Sequence, residues 1–175
     1  MKKILKIAIA LMCVMMLGTV MAGCGCSKEI ETVKSDWIKI TPNINADTTK
    51  KIVEKNGLFV QQDKNAEIYY LTDGSESNML YVMIYEQEPK EALDTFKNGA
   101  KAILSDMEYY KKSGEDTSGK LLSYELQDDK GYIDVEYDTE RAITLLNGEY
   151  IVMVDGTGTY KDKAKDVVND YINGL

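Results

Sequence analysis

The spacing of apolar residues changes character twice along the chain. From Ile7 to Val20 the sequence runs "IAIALMCVMMLGTV" without a charge, behind a head carrying Lys2, Lys3 and Lys6. Residues 24–36 are short, polar and unpatterned, the composition of a tether. From Trp37 onward, apolar positions recur with the periods of strands and helices. "DWIKIT" alternates and predicts a strand, and Asp47 is placed to cap a short helix, "DTTKKIVEKNG", stopped by Asn56-Gly57. Three strands are predicted next, "LFVQQ", "EIYYLT" and "NMLYVMIYE". In the last, Leu80, Val82 and Ile84 alternate with Tyr81, Met83 and Tyr85, so both faces are apolar and the strand belongs in the interior of its sheet.

A long helix opens at Pro89, a residue suited to the first helical position because it has no N–H to leave unpaired. Leu93, Phe96, Ala100, Ile103, Leu104, Met107 and Tyr110 recur at steps of three and four and form a single apolar stripe. Such a stripe is core rather than a cofactor box. Beyond Ser113-Gly114, "KLLSYELQ" and "YIDVEYD" are joined by "DDKG", and "AITLLNGEYIVMVDG" carries Asn147-Gly148, a strong hairpin signal. A last helix, about Tyr160 to Ile172, places Ala164, Val167, Val168 and Tyr171 on one side. The expected order is β-α-β-β-β-α-β-β-β-β-α. Strands that arrive as hairpins form antiparallel sheets that can bury a face under helices. The expected fold class is therefore α+β, a single antiparallel β-sheet with two main helices and one short helix packed on it. In element order this outline is similar to PsbP-like domains.

The first change of character has the layout of a secretory signal: cationic head, apolar segment, small residues. At Met21-Ala22-Gly23-Cys24 the chain resembles the lipobox of bacterial lipoproteins, with Met in the place usually held by Leu. The resemblance implies cleavage between Gly23 and Cys24 and a diacylglycerol on the Cys24 thiol. The domain would then be anchored to the cell membrane, facing the extracytoplasmic side. Cys26 lacks an aliphatic residue at the required distance. Two rivals are ordinary cleavage after Val20-Met21-Ala22, releasing a soluble protein, and an uncleaved helix from Ile7 to Cys26. On the favoured reading, residues 1–23 are signal, 24–36 tether, and 37–175 one globular domain.

Composition narrows the chemistry. The chain carries 21 basic and 29 acidic residues and no His. Without Lys2, Lys3 and Lys6, 18 basic residues face 29 acidic ones, a net charge of −11. Such a surface repels phosphate backbones, so no nucleic-acid partner is expected. With no His and no Cys after Cys26, a zinc set cannot be completed; no metal and no cofactor are expected. The same absence removes His-containing triads, and no serine is followed by a lysine three residues later as a Ser-Lys nucleophile requires. An enzyme is not expected.

Three constellations remain. In "YIDVEYDTE", Asp134, Glu136, Asp138 and Glu140 fall at period two and are expected to share a solvated strand face opposite Ile133, Val135 and Tyr137. Asp134, Glu136 and Asp138 are the candidate cation site on that face, although no calcium-loop pattern accompanies them. In "VMVDGTGTYKDK", Asp155-Gly156-Thr157 resembles the tail of the DxDGT signature of haloacid dehalogenase-type phosphatases, but Met153 stands where the nucleophile would be. The amides of Gly156 to Thr159 could cradle an anion; a plain connection with a Thr cap is the simpler expectation. The third is tyrosine, twelve in all. Tyr69, Tyr81, Tyr85 and Tyr150 are the candidate binding face for a protein, peptide or glycan, set against their ordinary use as strand residues at the edge of a core. The function expected is a lipid-anchored, non-catalytic binding domain. The alternative is a small carboxylate-dependent enzyme or calcium-dependent module, recognisable by acids converging in a pocket.

Overall fold

The structure, a computed structural model, describes residues 44–62, 67–75, 77–113 and 119–174. The "DWIKIT" segment, Cys24 and the whole signal region lie outside the described residues. The elements run α1 (Ala46–Asn56), β1 (Phe59–Gln62), β2 (Glu67–Thr72), β3 (Met79–Glu86), α2 (Pro89–Ser113), β4 (Lys120–Gln127), β5 (Lys130–Glu136), β6 (Glu140–Asn147), β7 (Tyr150–Thr157), a 3₁₀ turn (Gly158–Tyr160) and α3 (Lys161–Asn173). The strands form one antiparallel seven-stranded sheet in the order β1-β2-β3-β7-β6-β5-β4. The fold class is α+β.

Both faces of the sheet are covered. On one side, Leu80, Val82, Ile143, Leu145, Val152 and Val154 meet α1 and α3 through Ile52, Ala164, Val167, Val168 and Tyr171. On the other, Met83, Ile133, Val135, Leu146, Ile151 and Met153 meet Ala92, Phe96, Ala100 and Ile103 of α2. β3 is flanked by β2 and β7 and feeds both cores, as its two apolar faces require. α2 has to carry the chain from β3 to β4 at the far edge, beyond three intervening strands. Four strand spacings of ~4.8 Å make about 19 Å, and the helix, at 1.5 Å per residue, is about 37 Å long.

Local signals explain the ends. α1 is capped by Asn45, whose Oδ1 accepts from the Thr48 amide at 2.9 Å, so Asp47 lies in the first turn rather than at the cap. Gly57 closes the helix at φ 66°, a left-handed conformation favouring glycine. The β6–β7 hairpin turns at Gly148-Glu149, with Asn147 still paired to Tyr150. Within the α2 stripe, Phe96, Ala100 and Ile103 are buried, while Leu93, Leu104 and Met107 are half-buried. Leu104 thus lies at the rim of the stripe and not at its centre. Phe96 stacks on Tyr124, ring centroids 6.4 Å apart, and sits against Gly131, where an added Cβ would come within 2.6 Å of the ring.

Candidate functional site

The acidic strand is not a solvated face. β5 alternates as expected, but the face bearing Tyr132, Asp134 and Glu136 is the one turned toward α3. Asp134 is 2% exposed and is gripped by Arg141, the chain's single arginine, through Nε to Oδ1 at 3.0 Å and Nη2 to Oδ2 at 2.7 Å. The Tyr132 hydroxyl donates to the same carboxylate at 3.1 Å. Burial, the Asp134 charge and the hydrogen bond together push the Tyr132 phenol well above its ordinary range. Glu136 pairs with Lys161 at 3.1 Å, and that hydrogen bond, with the nearby positive charges, holds its carboxyl below the usual range. Asp138 has left the strand and is exposed, its backbone carbonyl accepting from Lys161 Nζ. The candidate cation site is thus already neutralised by Arg141 and Lys161. The register pairs Arg141 with Glu136 and Ile143 with Asp134, so β6 delivers the guanidinium onto the acidic face, a cross-strand relation that the spacing of the acids alone does not reveal. Among the described residues no group of three His, Cys, Asp or Glu side chains could hold a metal ion.

Glu140 parts from the other three acids. The turn between β5 and β6 places it on the opposite face of the sheet, where it meets Asp155 of β7. Glu140 is 3% exposed, and its Oε1, like Asp155 Oδ1, is buried without a hydrogen-bond partner. Burial pushes the Glu140 carboxyl up; burial together with the Glu140 charge pushes Asp155 well above the usual carboxylate range. This pair went unread in the sequence. The available signal was a lone carboxylate in the apolar run of β7, "YIVMVDGT".

The glycine-rich loop does not cradle an anion. The Gly158 amide donates to Thr139 O at 2.8 Å and the Thr159 amide to Asn78 Oδ1 at 3.2 Å. The Thr157 hydroxyl caps no helix; it accepts from the Met79 amide at 3.0 Å and lies 3.3 Å from Met79 O. Gly156 is glycine because a Cβ there would collide with the Tyr160 carbonyl. These contacts leave the loop a structural junction that ties β7 to β3 and to the β5–β6 turn.

The four candidate tyrosines divide between the two faces. Tyr69 and Tyr150 pack against the core under α1 and α3, whereas Tyr85 packs toward α2, and Tyr81 shares its side by alternation. They therefore cannot form one surface. What the register assembles instead is a row across the sheet: Phe59 opposite Tyr70, Tyr70 opposite Tyr81, Tyr81 opposite Asp155. The Phe59 and Tyr70 rings lie 6.0 Å apart. Tyr70 and Tyr81 are half-buried, while Phe59 is 61% exposed and its neighbour Val60, on the other face of β1, is 60% exposed. Burial, Asp155 and Tyr70 raise the Tyr81 phenol above its ordinary value. β1 is an edge strand, so its outer row of backbone groups has no neighbouring strand among the described residues.

Comparison with protein-family models and with curated proteins finds no match. Among solved structures the chain is similar to a GTP-binding regulator from Thermotoga maritima, at 12% identity and TM-score 0.42, over 74% of this chain and 89% of that one. It is also similar to a cyanobacterial PsbP from Synechocystis, at 15% identity and TM-score 0.37, over 67% of this chain and 80% of that one.

Proposed function

We propose that this chain is a lipid-anchored, non-catalytic binding domain on the extracytoplasmic side of the cell membrane, and that it takes a protein or peptide partner along the β1 edge. The anchor rests on Met21-Ala22-Gly23-Cys24 behind its cationic and apolar segment. The observation that carries the binding reading is the edge itself. Phe59 and Val60 are exposed on opposite faces of a strand whose outer hydrogen-bonding side has no neighbouring strand among the described residues. An extended segment added there gains main-chain hydrogen bonds and apolar contact together. The Phe59, Tyr70, Tyr81 row offers aromatic area with polar tips, the composition favoured at interfaces. A carboxylate enzyme finds less support, since Asp134 and Glu136 are held by cations and Glu140 Oε1 and Asp155 Oδ1 are buried.

The test places a photo-crosslinking residue at position 59 of the anchored protein, with a control at exposed Lys101 on α2. A protein or peptide adduct formed at 59, absent at 101 and lost on Tyr81→Ala is the expected result. Equal labelling at both sites, or a glycan adduct, contradicts the reading.

A further inference from the structure

Glu140 and Asp155 lie where three connections of the sheet meet. The β5–β6 turn ends at Glu140, whose carbonyl accepts from the Tyr137 amide at 2.8 Å. The junction from β7 to α3 begins three residues after Asp155 and is tied to that turn by Gly158 N to Thr139 O. The β2–β3 turn joins through Asn78 to Thr159 and Met79 to Thr157. A hydrogen bond between two carboxyl groups requires one proton between them, and two ionised carboxylates in a buried site repel. The cations nearest in sequence are committed to the opposite face, Arg141 to Asp134 and Lys161 to Glu136. Of the other titratable groups around the pair, Tyr81 faces it from β3, Tyr137 closes the turn beside it, and α2, whose Met107 lies near Tyr137, carries Asp106 and Glu108 on either side of that residue. The influences acting on the two carboxyls are burial and each other.

We propose that the Glu140–Asp155 pair is a proton-operated latch: with one shared proton it holds the three connections at this end of the sheet together, and release of that proton to solvent loosens them. Burial raises both carboxyls, so the closed form is favoured at low pH and lost as pH rises. The chain contains no His, so no ordinary imidazole titration overlays this one.

The test is hydrogen exchange on the full-length chain in detergent from about pH 5 to about pH 8, corrected for intrinsic exchange, where an unperturbed carboxyl is silent. The amides of Gly158 and Thr159 are expected to open more readily as pH rises, by up to about tenfold per unit at the steepest. In Asp155→Asn, whose amide can donate to Glu140 without titrating, the profile should be flat. Should that variant not fold, infrared spectra of wild type with carbon-13 Asp must show a protonated carboxyl persisting at neutral pH. An identical profile in wild type and variant, absence of that band, or restoration of protection at high pH by sodium or calcium ions would overturn the latch.

Discussion

Replacing Arg141 by Met removes the guanidinium and leaves the buried Asp134 carboxylate without its cation, the Tyr132 hydroxyl still donating to it. The side chains of Arg141 and Asp134 are 10% and 3% exposed, so water cannot take over the lost role. Stripping one partner from a buried pair costs about 3–5 kcal/mol, of a domain stability of about 5–15. Removing both members with apolar residues of similar volume, Arg141→Met with Asp134→Leu, takes away the stranded charge and restores most of the loss. Urea unfolding of the two single variants and the double variant measures the coupling between the sites. A single-variant loss below about 1 kcal/mol, the scale of an exposed ion pair, would refute the buried network and return these acids to a solvated face.

Phe96→Ala, which empties the space between Tyr124 and Gly131, is expected to cost about 3–5 kcal/mol in urea. Half-buried Leu104→Ala should cost less than about 2, the lower end of the range for core leucines. Exposed Lys101→Ala should cost less than about 0.5. Cell fractionation should find Cys24→Ala released or mislocalised and Cys26→Ala still attached; identical behaviour removes the anchor. Because Asp134 and Glu136 already hold cations, millimolar calcium should leave the melting temperature unchanged, and a rise of several degrees would restore the cation site.

The elements were legible because each announces itself locally: Pro89 at a helix start, Gly57 at a helix end, the Ala164, Val167, Val168 and Tyr171 stripe in α3. That the last predicted strand of the first three lies inside the sheet was also legible, from apolar residues at both parities of β3. Long-range order was not. Whether Arg141 meets Asp134, and whether Glu140 meets Asp155, is decided by register between strands, which no period along one strand contains. The tyrosines failed as a set for a related reason. Parity alone separates Tyr69 from Tyr81 only once the pairing of β2 with β3 is known, and Phe59 joins the row through β1, too short to show alternation.

The proposed function makes the aromatic edge, and not an acidic pocket, the working surface, and side-chain footprinting of the wild-type protein tests this most directly. Radical labelling of purified full-length chain in detergent is compared with labelling in intact cells, and each residue's modification is read by mass spectrometry. Phe59, Val60, Tyr70 and Tyr81 should be protected in cells, with the exposed side of α2 around Lys101 unchanged. Protection confined to residues 134–140, or no difference between purified and cell-bound protein, would contradict the account.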